Sequence, residues 1–389
     1  MANCVLFLHG HQPYYNEEFI VKEIIWQSYG PLFKLLLDSC KNSNFKINLS
    51  ITGSTLQWFE RIKNDFLLSS LRDLIDKGVV NLIPSPFYHA PLVFTDDGFI
   101  KEQLYHHRKM IKDLFGKEMR GFFPPELVFS IHKNKLLQDL DIDYFFVEGV
   151  YSAFYTDDVE GLWKLNTPKD IFAFVRNRAL SWYFSDNSFP NGQWLLDTIS
   201  KKGNLLTIGC DVECFGHHRS ADSFKFLEYF LMNAEKNNVN FITPEEAIKK
   251  ERNKGQYYQT EEVTTWAKNI NVFFPHSKII EMWFARNDAI TMYHRIEYLY
   301  YKLESILNKK LKQSEKKSIK DYINQITNLK IKELDDIRWS IYKELTDAAL
   351  YHGDFSNENT YRAMMNRCSW IKERLWNVEE KLTETFMAL

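Results

Sequence analysis

The chain has almost no net charge to offer a partner: 49 Lys and Arg stand against 51 Asp and Glu, a formal charge of -2. Without an excess of either sign there is no global field to draw in nucleic acid or an anionic membrane. No stretch approaches the ~20 apolar residues that a membrane-spanning helix needs. No basic segment precedes the apolar run Cys4–Leu8, so no export signal is read there and a cytoplasmic protein is expected. The five cysteines, Cys4, Cys40, Cys210, Cys214 and Cys368, are odd in number and scattered. They frame no disulfide scaffold, and Cys210 and Cys214 have no second pair at zinc-finger spacing. Buried free thiols are expected. Internal repeats and low-complexity segments are also lacking.

What is abundant is aromatic surface. Phe, Tyr and Trp number 30, 20 and 10, or 15% of the chain. Most of these rings serve a core, but a neutral polar ligand such as a sugar can also stack on an aromatic face. At 389 residues the chain can bury one large α/β core and carry a smaller appendage. Seven short, near-continuous apolar runs recur: Cys4–Leu8, Lys46–Ile51, Val79–Ile83, Gly121–Phe123, Tyr144–Val147, Ile171–Val175 and Leu205–Ile208. Such runs read as parallel strands covered on both faces. Helical patterns such as Tyr29–Cys40, Phe66–Lys77, Lys101–Phe115 and Lys133–Leu140 lie between them. The alternation predicts βαβ units and a closed or nearly closed barrel.

Thr243-Pro244-Glu245-Glu246 reads as a helix start. Beyond Ile280 the segments 280–307, 315–327, 333–350 and 359–386 are Lys- and Glu-rich with almost no glycine, which predicts a C-terminal helical domain. The expected division is a barrel over residues 1–255 and helices over 256–389, with the 260–290 bridge contributing to the cleft.

In a parallel barrel the residues that follow the strands share one rim, where such folds place their chemistry. Here they are His9-Gly10-His11-Gln12-Pro13, Ser85-Pro86-Phe87-Tyr88-His89, Pro124-Pro125-Glu126, Arg176-Asn177-Arg178 and Asp211-Val212-Glu213. The last leads into Cys214-Phe215-Gly216-His217-His218, crowding two carboxylates and two imidazoles at one strand end. Glu126 is either a carboxylate held by a rigid proline pair or simply an acid at a helix start. Asp211 and Glu213 alternate if the strand continues, so only one faces a cleft. Asp211 is the preferred active group, with Glu213 orienting a neighbour. His9 and His11 would share a face of a continuing strand, a spacing that with Asp211, His217 and His218 also suits a divalent ion. Hydrogen bonding to hydroxyls or loop carbonyls is the preferred role, with no metal and no cofactor.

Taken in order, these motifs resemble family 57 of the glycoside hydrolases. The family shows His-Gln-Pro (here His11-Gln12-Pro13) and Gly-x-x-Glu (here Gly78-Val79-Val80-Asn81) followed by an aromatic turn (Phe87-Tyr88). It then has a Pro-Glu segment (Pro125-Glu126) and Asp-x-Glu-x-Phe-Gly (Asp211-Val212-Glu213-Cys214-Phe215-Gly216). A last region resembles Trp266 with the run from Met282 and Trp283 to Asp288. Asn81 departs from the acidic residue, and His89 stands where many relatives carry Glu. The resemblance implies a (β/α)7 barrel with a C-terminal helical region and a retaining mechanism on α-glucans, with transglycosylation possible. It implies Glu126 as nucleophile and Asp211 as general acid/base. His9, His11, Gln12, Tyr88, His89, Glu213, Phe215, His217, Trp266, Trp283 and Asp288 are then candidate sugar-binding residues. Trp26 and Trp182 are further stacking candidates. A metal-dependent polysaccharide deacetylase and a non-catalytic carbohydrate-binding protein are the alternative readings.

Overall fold

In a computed structural model of the chain, the described residues are 1–14, 16–93, 95–149, 161–186, 192–251, 255 and 264–266, with the isolated positions 298, 301, 373, 376, 377 and 380. The helices expected beyond Ile280 lie outside them, as do Trp283, Asp288 and most of the 260–290 bridge. The chain divides into two compact units, Met1–Phe94 with His106–Trp266, and Thr95–Tyr105 with Ala267–Leu389.

The first unit is a curled sheet wrapped by helices. Its strands are β1 (Ala2–Gly10), β2 (Ile47–Ile51), β3 (Val80–Leu82), β4 (Gly121–Phe122), β5 (Tyr144–Glu148), β6 (Gly161–Lys164), β7 (Phe172–Arg176), β8 (Leu206–Asp211) and β9 (Val239–Phe241). Seven of them run parallel in the order β3-β2-β1-β8-β7-β5-β4. These are the seven apolar runs seen in the sequence. Beyond the two end strands, the Phe123 N–H donates to the Pro84 carbonyl at 2.9 Å, drawing the edges together. The fold is that of a (β/α)7 barrel. Two strands have no apolar run to announce them: β6, which pairs antiparallel with β7, and β9, which adds an eighth parallel strand beside the start of β1. Each is short, and β9 carries a central Asn240.

Side-chain parity explains what reaches the barrel interior. Along β1, Cys4, Leu6 and Leu8 pack outward with helix residues such as Leu32, Leu36 and Leu227, while Val5 and Phe7 pack inward with Phe123, Phe146 and Phe174. On β8, Leu206, Ile208 and Cys210 face outward. The inward series, continued to the C-terminal strand ends, carries His9, Glu148, Arg176 and Asp211. Gly209 belongs to the same inward set: a Cβ there would lie 2.6 Å from the Phe7 ring. Its absence lets that ring fill the barrel beneath the site.

Helices α1 (Glu18–Ile24), α2 (Gly30–Ser39), α3 (Gly53–Arg61), α4 (Asp65–Asp76), α5 (Asp97–Phe115), α6 (Asn134–Asp139), α7 (Arg178–Asp186), α8 (Gln193–Lys202), α9 (Ser223–Met232) and α10 (Pro244–Lys250) intersperse the strands. The helix start read at Thr243-Pro244 is a complete capping box with Glu246. Below the site, Glu245 of α10 closes the barrel interior, accepting from the Tyr144 hydroxyl at 2.8 Å and from Asn81 at 3.2 Å. Asn81 also donates to Asn48 at 3.1 Å. The position that departs from the acidic motif therefore serves a partly buried polar network on β3, away from the strand-end rim. Among the described residues no helix is long and apolar enough to cross a membrane. Cys4, Cys210 and Cys214 are buried cysteines, and Cys40 is a partly buried one.

Candidate active site

Glu126 sits in a single 3-10 turn, Pro125–Leu127, and not at the start of an α-helix. Its φ of 57° and that of Leu127, 48°, lie in the left-handed region that non-glycine residues avoid. Each such residue costs about 1–3 kcal/mol and persists only where its surroundings fix it. The fixing contacts come from Thr264–Trp266. Thr264 forms an antiparallel bridge with Phe129. The Thr265 hydroxyl and the Trp266 N–H donate to the Glu126 carbonyl at 2.9 and 3.1 Å. The Trp266 indole Nε1 then donates to Glu126 Oε2 at 2.8 Å. Trp266, read from sequence as a stacking platform, binds the carboxylate through its indole edge.

His89, also left-handed at φ 65°, approaches the other oxygen: its Nε2 lies 4.0 Å from Glu126 Oε1. It belongs to a column of parallel rings, Phe123–His9–His89–His11, with centroid spacings of 4.4, 4.9 and 4.1 Å. The His9 and His89 Nε2 atoms are 2.9 Å apart, so one donates and the other accepts. Burial depresses the His9 pKa to about 3, with the main chain of its β2 neighbour Ser50 working the other way. His9 is a neutral support for His89. The strand ends at Gly10, so His9 and His11 share no strand face; His11 turns aside, its Nδ1 3.1 Å from the Thr52 hydroxyl.

Asp211 is the last residue of β8 and the register partner of His9. The segment then turns into a 3-10 helix, Val212–Cys214, so Asp211 and Glu213 do not alternate along an extended strand as expected. The turn lets the two acids take separate surroundings. Glu213 is buried, accepting from Gln12 Nε2 at 2.7 Å and from the Tyr29 hydroxyl at 2.5 Å. Burial raises its pKa, and those two bonds work against the rise. Asp211 is only half-buried by its accessible surface, yet its carboxyl is held well above the usual carboxylate range. Desolvation is the first cause, followed by Cys214, Glu213 and Glu126; Arg176 opposes them. One acid inclined to keep its proton thus stands within the electrostatic reach of a second, hydrogen-bonded one.

A π-helical turn, Ile25–Tyr29, fastens this loop. The Ser28 hydroxyl is shared between the carbonyls of Val212 and Phe215, at 2.9 and 2.7 Å, and His217 Nδ1 lies 2.8 Å from Gln27 Oε1. Phe215 is fully buried against Phe184, and Tyr88 is buried with its hydroxyl 3.5 Å from Gln57. Trp26 and Trp182 are 72% and 52% exposed. Among the described residues no group of three or more His, Cys, Asp and Glu is placed to hold a metal ion.

Sequence reasoning missed Glu148. It is buried at the end of β5, one residue past the predicted run, and bonds Arg176 across the strand pair at 2.8 Å. Its signal was an isolated acid directly after an apolar strand.

The sequence matches the family model described as glycosyl hydrolase family 57 over residues 5–261. A protein of Methanocaldococcus jannaschii named for alpha-amylase is 27% identical over 267 residues, 65% of this chain and 56% of the relative. A 4-alpha-glucanotransferase of Thermococcus litoralis is 27% identical over 171 residues, 40% of this chain and 25% of its own. The chain thus spans little more than half of the first relative and less of the second. Among solved structures, the Thermococcus litoralis 4-alpha-glucanotransferase superposes with a TM-score of 0.73 at 16% identity, over 98% of this chain and 59% of that one. A family 57 branching enzyme of Pyrococcus horikoshii gives 0.69 at 15%, over 97% and 88%. At these identities the superpositions speak for the fold.

Proposed function

Because the chain belongs to glycosyl hydrolase family 57, we propose that it is a retaining α-glucan-active enzyme in which Glu126 is the nucleophile and Asp211 the general acid/base. The observation that carries the reading is the contrast between the two carboxyls. Asp211 is held well above its ordinary pKa with Glu126 among the causes, while Glu126 is gripped by the Trp266 indole. Divergent environments are how one site assigns an acid and a nucleophile to two carboxyls.

In the first step Asp211 gives its proton to the glycosidic oxygen, the bond from that oxygen to the anomeric carbon breaks, and a Glu126 oxygen bonds to the carbon. In the second, Asp211, now a carboxylate, takes a proton from water or from a sugar hydroxyl. That oxygen displaces Glu126, giving hydrolysis or transglycosylation. Configuration is retained through two inversions, which requires carboxyl groups about 5–5.5 Å apart. The relatives' printed names, alpha-amylase and 4-alpha-glucanotransferase, favour amylose, starch or maltooligosaccharides as substrates. His11, His89 and His217 are candidate partners for sugar hydroxyls, His89 backed by His9 and His217 by Gln27. Trp283 and Asp288 remain candidate sugar contacts on sequence grounds.

The test is incubation of the full chain with maltooligosaccharides and amylose, with early products followed by proton NMR. The α-anomer should form first. Absence of turnover on every α-glucan, or a β-anomer first, would overturn the proposal. A smaller effect is expected at Trp266. Trp266→Phe keeps a ring but removes a hydrogen bond to a carboxylate worth about 1.5–3 kcal/mol. Accordingly kcat should fall by about 10- to 100-fold with KM little changed, read from steady-state kinetics; an unchanged kcat would remove Trp266 from the account.

A further inference from the structure

The buried pair Glu148–Arg176 stands at the same strand ends as the candidate carboxylates but has no part in the two steps above. Arg176 Nη1 donates to Glu148 Oε2 at 2.8 Å, and its Nε donates to the Gly209 carbonyl at 3.0 Å. Its guanidinium carbon lies 5.3 Å from the centroid of the Trp266 ring, over its face. Both residues are more than nine-tenths buried. Gly209 lies two residues before Asp211 on β8, and Trp266 grips Glu126. The other face of the pair is bounded by Arg178, whose Nε is 3.9 Å from Glu148 Oε1.

A buried ion pair is weak stabilisation by itself, because desolvating two charges costs much of what their attraction returns. Its fixed geometry is a better account of its presence here. A guanidinium offers a planar fork that can bond a carboxylate and a carbonyl while its face rests on an indole; an ammonium cannot do all three.

We propose that Arg176, anchored by Glu148, is a positioning residue for both carboxylates: it backs the Trp266 indole that holds Glu126 and ties down the strand end that carries Asp211. It touches neither reacting group. The inference rests on the retaining-glycosidase reading, and its test is built so that the two can fail separately.

The variants are R176K, R176M and E148Q in the full chain, each first required to melt cooperatively. Misplacing a reacting group by about 1 Å can cost on the order of 10²-fold. R176M should therefore lower kcat on maltooligosaccharides by about that factor with KM within threefold or so. R176K and E148Q should each lose about 10-fold, less than R176M because each keeps part of the anchoring. The pH profile divides charge from geometry. The groups facing Asp211 are Cys214, Glu213, Glu126 and Arg176, with neutral His9 opposite in register. Removing the Arg176 charge lets Asp211 hold its proton more tightly, so the basic limb of kcat/KM moves to higher pH in R176M. It should stay in R176K and should not rise in E148Q. The limb reports the lost charge; a purely structural role would lower all three variants in proportion to lost stability and leave the Trp266 emission in place.

The contact has its own readout. The emission of Trp266, taken as wild type minus W266F, should shift to the red when measured as R176M minus R176M/W266F. In the same cycle the kcat losses of R176M and W266F should fall short of additive, because one acts through the other. Wild-type kcat, an unmoved limb and an unmoved Trp266 emission in R176M would overturn the proposal while leaving the glycosidase reading intact. If the wild type turned over no α-glucan but the emission shifted, the contact would stand and the glycosidase reading would fall.

Discussion

Replacing Glu126 with Gln should abolish turnover, with a loss of at least about 10⁴-fold in kcat, the scale seen when a covalent nucleophile is removed. The substitution keeps the size of the side chain and an oxygen for the Trp266 indole, so the melting temperature should stay close to that of the wild type. A glutamine cannot supply the electron pair that displaces the leaving group. A shorter variant gives a sharper version of the same result. With Glu126→Ala, azide can enter the vacated space and attack an α-glucosyl fluoride, whose leaving group needs no protonation. The product should be the β-glucosyl azide, inverted because one displacement now replaces two. A retained α-azide would show that Glu126 is not the attacking group.

Asp211→Asn should lower kcat on maltooligosaccharides by about 10²- to 10⁴-fold, the usual contribution of a general acid. The loss should be far smaller for the first step on an α-glucosyl fluoride. Azide should here yield the α-glucosyl azide, because Glu126 still forms the covalent intermediate. The pH dependence follows from the raised pKa of Asp211, whose first cause is burial. In the wild type the protonated acid is lost as pH rises through that value, so kcat/KM falls on the basic side; in Asp211→Asn that limb should vanish. Stability carries the same sign. Asp211 ionises near its ordinary value of 3.8 in the unfolded chain and well above it in the fold. Its protonated form therefore favours the folded state at low pH, and this contribution is lost as pH rises through the folded value. The asparagine variant should then melt above the wild type at neutral and higher pH, with the gap closing below the ordinary carboxylate range. An unchanged gap across that range would contradict the raised pKa.

Most of the barrel could be read from the sequence because parallel strands covered on both faces must be apolar nearly throughout. Phe122-Phe123 and Tyr144–Val147 could hardly be anything else. The short β9, Val239–Phe241, carries too few apolar positions to stand out, and β6 pairs with only one neighbour. The strand-end rule brought His9, Glu126, Arg176 and Asp211 to one rim, and parity puts His9, Arg176 and Asp211 inside the barrel. What local sequence could not supply was backbone conformation and long-range pairing. Nothing in Pro124-Pro125-Glu126 announces a left-handed glutamate, because its strain is repaid by contacts from Thr265 and Trp266 far along the chain. The same holds for Asp211 and Glu213. Alternation along a strand is a sound local rule, but the 3-10 turn is fixed by Ser28 and Tyr29, far away in the sequence. The place of Asn81 is likewise set by distant residues, since its amide bonds Asn48 of β2 and Glu245 of α10.

The central claim is that Glu126 forms a covalent bond to the sugar while Asp211 handles the proton. The most direct measurement is mass spectrometry of the protein after inactivation by 5-fluoro-α-glucosyl fluoride, whose intermediate turns over slowly. One added fluoroglucosyl group is expected, carried by the peptide that contains Glu126 and absent from Glu126→Gln. A label on Asp211 or Glu213, or turnover of α-glucans with no adduct at any carboxylate, would contradict it.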